Sequence, residues 1–179
     1  MTAPRTLIIC KSVHHQNTAQ VAGVIANILH ADVCTPDEAV PERILDYDLI
    51  GFGSGIYFGR FHASLRQWVD QMPDISQLHR KAFVFSTEGL PALAWLWHWS
   101  LKSRLKNKGF DVIGEFHCSG FDTVGPLSLL GGLNRRHPDE RDLENAAAFA
   151  REMRLKMSDV ESANFLLDEL SSRQINLPT

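Results

Sequence analysis

A short apolar run at 7–10 stops at a polar loop, and a helical pattern rich in Ala, Val and Ile follows at once. This junction constrains the fold most, because an apolar strand that leads directly into a helix is typical of a parallel α/β protein. There, the first backbone N–H groups of the helix and the positive end of its dipole surround one point. Ser12, Asn17 and Thr18 add side-chain donors. The junction therefore predicts a phosphate site.

Strand and helix patterns alternate along the rest of the chain. Apolar runs predict strands at Thr6–Cys10, Asp32–Thr35, Leu49–Gly53, Lys81–Ser86 and Phe110–Phe116. Apolar residues at helical spacing predict helices at Asn17–Leu29, around Leu65–Met72, at Leu93–Lys106 and at Glu140–Met157. Because the apolar strands have helices between them, we expect an α/β fold with a parallel sheet covered on both faces. Its strands are expected in the doubly wound order 2-1-3-4-5.

The chain is expected to form one domain over residues 1–157, followed by a tail at 158–179. Ser158 and Glu161 have the spacing of a helix capping box. The apolar residues after them predict a short helix that docks on the domain or on a second subunit. The Gly- and Pro-rich stretch 118–138 is longer than an ordinary connection, so we expect it to cover another part of the molecule.

Charge and cysteine content narrow the classes of function. Eighteen basic and 21 acidic residues give a net charge of −3, which argues against nucleic acid as a partner. The three cysteines are odd in number and form no CxxC pair, as expected of reduced thiols in a cytoplasmic protein. The longest uncharged apolar stretch, 89–101, is too short to span a membrane. We therefore expect a cytoplasmic protein with no integral membrane segment.

Three loops are expected to meet at one edge of the sheet. Ligands of open parallel sheets bind at the carboxyl ends of the strands where the strand order reverses. Here these are the loops after the first, third and fourth strands, at 12–18, 53–62 and 86–91. The second loop combines glycines with three aromatic residues. Aromatic rings and freely approachable backbone beside a phosphate site suit a planar ring cofactor.

These loops also carry a resemblance to a known family. The stretches Ser12–Thr18, Asp48–Gly59, Phe85–Thr87 and 109–132 together resemble the flavodoxin superfamily. The resemblance implies a three-layer α/β/α sandwich that binds flavin mononucleotide (FMN). Residues 57–69 are in addition similar to the flavodoxin-like protoporphyrinogen oxidases of bacteria.

The resemblance implies FMN contacts from each of the three loops. Phosphate contacts would come from Ser12, His14, His15, Gln16, Asn17 and Thr18. Ring contacts would come from Ser54, Gly55, Ile56, Tyr57, Phe58 and Gly59, with Tyr57 or Phe58 stacked on the ring and the peptide at Gly59 bonded to reduced N5. The pyrimidine edge would meet Ser86, Thr87, Glu88 and Gly89.

Two departures from the family pattern bear on the cofactor. Gln16 stands where the family usually has glycine, and a glutamine resists a positive φ. Arg60 and His62 stand where electron-carrier flavodoxins often have acids. Because the fully reduced flavin is an anion, positive charge there is expected to make full reduction easier.

A metal site at His14-His15 is not expected, since adjacent side chains diverge and no cysteine or carboxylate cluster accompanies them.

The resemblance implies electron transfer with a redox partner protein, or oxidoreductase activity on a quinone, a porphyrinogen or another small aromatic substrate. A homodimer is a further candidate assembly. The alternative is a flavin-free interaction module that docks partners through Trp95, Trp97 and Trp99. For these tryptophans the commoner explanation is partial burial under the stretch 118–138. For Glu88, a solvated loop position is commoner than a role as proton donor.

Overall fold

The computed structural model describes residues 4–78, 80–89, 91–121 and 134–175, apart from the side chains of Pro91 and of residues 160–175. The strands are β1 (Thr6–Lys11), β2 (Asp32–Cys34), β3 (Leu49–Tyr57), β4 (Arg60–Phe61), β5 (Lys81–Glu88) and β6 (Asp111–Ser119). The α-helices are α1 (Asn17–Leu29), α2 (Ala63–Gln71), α3 (Ala94–Asn107) and α4 (Glu140–Ile175). Short 3₁₀ helices lie at Pro41–Asp46, Ser76–Leu78 and Pro91–Leu93.

The main sheet has the predicted topology. Its strands lie in the order β2-β1-β3-β5-β6, and every neighbouring pair is parallel. The predicted α/β fold and strand order are therefore confirmed. The winding reverses between β1 and β3, where such sheets place their ligands. Strand β4 is an addition that pairs antiparallel with the end of β3, outside this path.

Strand β3 extends beyond its predicted end at Gly53 and continues to Tyr57. Its glycines resemble a loop in the sequence, but the rings of Phe83 and Phe85 on β5 fill the space above Gly51 and Gly53. A Cβ at either glycine would overlap a ring, so glycine permits the two strands to pack. Strands β5 and β6 also end later than predicted. The second and third loops are consequently shorter than the sequence indicates.

Helices cover both faces of the sheet. One face packs against α2 and α3 around Phe52 and Val84. The other packs against α1 and α4 around Ile8 and Phe83. A fully buried side chain of this kind contributes about 1.5–3 kcal/mol relative to an exposed one, so the two layers fix the positions of the strand ends.

Helix α4 continues without a break from Glu140 to Ile175. The predicted helix end at Met157 and the new helix start at Ser158 are therefore wrong. The Ser158 hydroxyl donates to the carbonyl three residues earlier, inside the helix, instead of capping a new one. Residues 140–175 contain no Gly or Pro, the residues that commonly end a helix.

Several expectations lie outside the described residues. These concern the docking of the apolar residues beyond 159 and the covering role of the stretch 122–133. The division into a domain and a tail stays a prediction. In the part of the chain described here, no helix has both the length and the apolar character needed to cross a membrane.

Candidate functional site

The loop after β1 and the carboxyl ends of β3 and β5 converge at the carboxyl edge of the sheet. They line a cleft together with the end of β6, and the lining residues are His14, Asn17, Thr18, Gly55, Ile56, Tyr57, Thr87, Glu88, Gly89, Gly120 and Phe121. The cleft is narrow, about 30 Å³. A wider groove of about 570 Å³ lies beside it, and His14 and Tyr57 line both. These two side chains therefore form the boundary between cleft and groove.

The other predicted site residues surround this cleft without lining it. Ser12, His15 and Gln16 lie in the loop between β1 and α1, Ser54 and Ser86 are buried in β3 and β5, and Phe58 and Gly59 form the turn between β3 and β4. Gly120 and Phe121, just after β6, are lining residues that the predicted site did not include.

Some polar groups at and just before the start of α1 have no hydrogen-bond partner among the described residues. Asn17 Nδ2 donates to the Phe121 carbonyl at 2.9 Å, and the Thr18 and Thr87 hydroxyls bond each other at 2.8 Å. These contacts tie α1 to β5 and to the end of β6. Ser12 Oγ, in contrast, is buried without a hydrogen-bond partner among the described residues. No described side chain caps the first N–H groups of α1, which have no partner within the helix.

The backbone just before α1 is left-handed. His15 has φ 52° and Gln16 has φ 56°, so the glutamine adopts the conformation that its side chain opposes. This conformation costs an ordinary residue about 1–2 kcal/mol. The loop thus keeps the shape that glycine would allow, although it lacks the glycine.

A tight hairpin joins β3 to β4. Tyr57 pairs with Arg60, and the two residues between them, Phe58 and Gly59, have φ values of 50° and 73°. Hairpin turns of type I′ require positive φ at both positions, which suits glycine and is unusual for phenylalanine. The Phe58 ring is 93% exposed beside the groove. The hairpin therefore holds a large apolar ring in solvent at the cost of a strained backbone.

Two neighbours keep this hairpin in place. The Ser54 hydroxyl accepts the His62 backbone N–H at 2.9 Å, which joins the two sides of the hairpin at its base. On the outer side, Trp97 packs under the turn, and its Nε1 lies 3.0 Å from where a Cβ on Gly59 would stand. A larger residue than glycine would be resisted by both its φ and this indole.

The Tyr57 ring folds back towards the sheet. Its hydroxyl lies 2.7 Å from where a Cβ on Gly55 would stand, and its ring centre lies 5.7 Å from that of His14. Tyr57 thus occupies part of the space between the three loops. A change in its rotamer would join the cleft to the groove.

The expectation for His62 needs correction. Its Nδ1 accepts the backbone N–H of Ser64 and so caps α2, which requires an unprotonated nitrogen. Burial, and then the positive charge of Lys11, lowers the pKa of His62. The ring is therefore neutral at pH 7. The positive charge predicted beside the site rests on Arg60, which is exposed.

Glu88 is not the solvated loop residue that commonly occurs at such a position. It ends β5, is only 3% exposed, and its Oε2 forms a 2.6 Å hydrogen bond with the Ser86 hydroxyl. The same hydroxyl lies 2.7 Å from His98 Nε2 on α3. His117 Nδ1, on β6, lies 3.2 Å from the second carboxylate oxygen of Glu88. A buried polar group therefore adjoins the cleft.

This group reaches the surface through α3 and β6. His98 Nδ1 lies 3.3 Å from Glu115 Oε2, and Lys102 Nζ lies 2.6 Å from the same oxygen. Burial lowers the pKa of His98 to about 4. Burial raises the pKa of Glu115, but the hydrogen bonds and charges of Lys102 and His98 together outweigh burial, so the pKa of Glu115 is lowered. Contact with the Glu88 carboxylate raises the pKa of His117.

The sequence holds a partial signal for this network. Ser86 and Glu88 are two residues apart on one strand, and Glu115 and His117 are two apart on the next, so each pair shares a face of the sheet. The register places Ser86 opposite His117. His98, which completes the network, comes from a helix. Its position depends on how α3 packs, which spacing alone does not give.

The remaining candidates take simpler roles. Cys118 is buried and burial raises the pKa of its thiol, so it lacks the thiolate character of a redox-active cysteine. Trp95 and Trp99 are each 66% exposed, and the stretch expected to bury them in part lies largely outside the described residues. The inner face of α3 is occupied by Leu101 and Leu105, which turns both tryptophans outward. Trp97 is half-buried, against the turn at Gly59.

Comparison with known proteins shows that the chain matches a known family. The model of the flavodoxin domain matches residues 7–113. An uncharacterized protein of Methanocaldococcus jannaschii is 48% identical over 147 residues, which is 82% of this chain and 96% of that protein.

Solved structures agree with the fold. A flavodoxin from the domain Archaea superposes with a TM-score of 0.64 at 12% identity, over 86% of this chain and 99% of its own. An NADH:FMN oxidoreductase in its apo form superposes with a TM-score of 0.61 at 16% identity, over 86% of this chain and 89% of its own. At these identities the likeness supports the fold alone.

Proposed function

This chain belongs to the flavodoxin family, and on that premise we propose that it binds FMN in the cleft between the strand ends and transfers electrons through it. The observation that carries the proposal is the convergence of the loop after β1 with the ends of β3 and β5 on one cleft. Beside this cleft, no described side chain caps the start of α1, and the buried Ser12 hydroxyl has no partner among the described residues. An uncapped helix start and a buried hydroxyl without a partner are what a phosphate would satisfy.

The residues at the site fit FMN in kind. The loop 12–18 offers the Ser12 hydroxyl and the first N–H groups of α1 to a phosphate. Gly55, the hairpin at Phe58 and the end of β5 offer close backbone approach and an aromatic surface to a planar ring. Tyr57 occupies space beside Gly55, so we expect it to change rotamer on binding. When bound, FMN supplies one- and two-electron chemistry, and the protein sets its position and potential.

Absorbance tests this proposal directly. We expect the full-length protein, purified or after addition of FMN and removal of the excess, to show the flavin bands with one FMN per chain. The Ser100→Ala variant, altered at an exposed position on α3, should retain as much FMN. A colourless protein that takes up no added FMN would contradict the proposal.

Within this function we favour an oxidoreductase acting on a small aromatic substrate over a pure electron carrier. The groove beside the cleft supports this choice, since it is lined by the rings of Tyr57 and Phe58 and by Arg60 and Arg66. A quinone or a similar planar acceptor suits such a surface. Rapid oxidation of the dithionite-reduced, FMN-loaded protein by 1,4-benzoquinone would support the choice. Oxidation by redox proteins alone would favour an electron carrier.

We also propose that the protein acts in the cytoplasm.

The second candidate function is a flavin-free interaction module. The exposed rings of Trp95 and Trp99 favour it, because large exposed apolar patches often mark docking surfaces. The absorbance experiment separates the two functions. If FMN does not bind, this surface becomes the leading explanation.

A further inference from the structure

A buried chain of hydrogen bonds runs from the cleft to the surface on the α3 side of the sheet. Glu88 lines the cleft, the Ser86 hydroxyl joins it to His98, and His98 meets Glu115. Ser86, Glu88 and His98 are each no more than 3% exposed. Burying two ionisable groups is costly, so their retention side by side calls for a chemical reason.

The Ser86 hydroxyl limits where protons can lie along these hydrogen bonds. Ser86 Oγ makes short contacts to both Glu88 Oε2 and His98 Nε2, at 2.6 and 2.7 Å. A serine has a single O–H proton, so it donates to one neighbour and the other neighbour must donate to it. Either His98 Nε2 is protonated and Glu88 is ionised, or Glu88 carries the proton and His98 Nε2 is a bare acceptor.

The charge of Glu115 determines whether His98 Nδ1 carries a proton. Lys102 holds Glu115 in an ion pair at 2.6 Å, so the carboxylate facing His98 Nδ1 is ionised. Without a proton, Nδ1 and the carboxylate oxygen would direct lone pairs at each other and repel. With a proton, Nδ1 donates a hydrogen bond to the carboxylate. His98 therefore keeps its Nδ1 proton in both arrangements. The two arrangements differ by one proton, which lies on His98 Nε2 in one and on Glu88 Oε2 in the other.

We propose that Glu88, Ser86 and His98 form a proton relay that supplies and removes a proton at the cleft. In the forward step the Nε2–H bond of His98 breaks and its proton binds Ser86 Oγ, while the Ser86 proton passes to Glu88 Oε2. Imidazolium and carboxylate become neutral imidazole and carboxylic acid, and no charge leaves the network. The role at the cleft rests on the proposed function.

The surroundings suit this transfer. The titratable groups that face the relay are Lys102 on α3, with Glu115 and His117 on β6. The side chains of Glu115 and His117 are 42% and 44% exposed, so the relay has an exposed group at each end to exchange protons with water. Burial lowers the proton affinity of His98, which favours its release of the Nε2 proton at neutral pH.

NMR of the full-length flavin-free protein, labelled with ¹⁵N at histidine, tests the relay apart from any cofactor. We expect a neutral His98 with its proton on Nδ1 at pH 7. Glu88→Gln removes the carboxylate that accompanies the imidazolium form of His98, so the pH at which His98 takes up its second proton should fall by about one unit, or tenfold in proton affinity. Glu152→Gln, an exposed position on α4, should leave it unchanged. An Nε2–H tautomer, or equal titration of His98 in both variants, would overturn the relay.

A second measurement tests the role at the cleft. In the FMN-loaded protein, reduced with dithionite and kept at saturating FMN, Glu88→Gln should slow reoxidation by 1,4-benzoquinone at pH 7 by about 100-fold, the range expected for loss of a general acid. Ser86→Ala, which breaks the link while leaving Glu88 in place, should show a smaller loss that grows as the pH rises. Wild-type rates in Glu88→Gln would overturn this role. A failure of FMN to bind would show only in the absorbance experiment and would leave the NMR test intact.

Discussion

Strain is concentrated at single residues around the cleft. Gln16 and Phe58 both have positive φ, where a side chain costs free energy, and both lie at turns that border the site. Strained backbone is kept when the surrounding packing holds it, and it often coincides with function. Here, α1 and the hairpin joined to β3 hold these two residues in position.

The strain at Gln16 gives a stability prediction. Replacing Gln16 with Gly relieves the left-handed backbone but adds freedom to the unfolded chain. We therefore expect the free energy of unfolding to rise by about 0.5–1 kcal/mol, measured by urea denaturation. Gln20→Gly, at an exposed helical position, should instead lower it by about 1 kcal/mol. A less stable Gln16→Gly would show that the glutamine side chain makes contacts that outweigh the strain.

His98 gives a prediction of pH dependence. Burial depresses its pKa from 6.5 to about 4 in the folded protein, so the unfolded chain binds more protons between these values. The free energy of unfolding therefore falls as pH drops from 6.5 towards 4, by up to about 3 kcal/mol. His117 acts in the opposite sense, because its pKa is raised and its stabilisation is lost as pH rises above 6.5.

Urea denaturation at several pH values between 4.5 and 7 isolates the contribution of His98. In His98→Gln the fall in stability towards acid should be much smaller than in the wild type. His30→Asn changes an exposed histidine at the end of α1 and should keep the wild-type dependence. The same acid sensitivity in His98→Gln as in the wild type would show that other groups cause it.

At the scale of elements, the hairpin between β3 and β4 shows where sequence reasoning succeeds and where it stops. The sequence identifies 57–59 as an aromatic turn beside the site. It misses the strand pairing at Tyr57 and Arg60, because the glycines that precede them resemble a loop. Those glycines are strand residues whose missing side chains make room for Phe83 and Phe85. That reason lies on the neighbouring strand and cannot be seen locally.

The hairpin also yields a prediction in which stability and binding change in opposite directions. Phe58→Asn places a residue that tolerates positive φ in the turn, so the free energy of unfolding should rise by about 0.5–1 kcal/mol. If Phe58 stacks on the flavin, FMN affinity should fall about 3- to 10-fold. Phe58→Tyr keeps the ring and should change neither. Unchanged FMN affinity in Phe58→Asn would leave Tyr57 as the stacking residue.

At the scale of the whole molecule, alternating apolar strands and helices predict the sheet order that the structure has. The same pattern predicts that three loops meet, because parallel strands bring their carboxyl ends to one edge. It does not predict the relay of Ser86, Glu88 and His98, which depends on the register of β5 and β6 and on the packing of α3. Nor does it predict that α4 continues past Ser158, since the spacing of a capping box there competes with an uninterrupted helical pattern.

The central claim is that the start of α1 holds the phosphate of FMN. Equilibrium titration with FMN and with riboflavin, which lacks the phosphate, tests it most directly when wild type, Ser12→Ala and Ser100→Ala are compared. Wild type should bind FMN far more tightly than riboflavin. Ser12→Ala should bind FMN about 10- to 100-fold more weakly, as expected for a hydrogen bond to a charged group, with riboflavin affinity unchanged. Equal affinities for FMN and riboflavin in the wild type would contradict the claim.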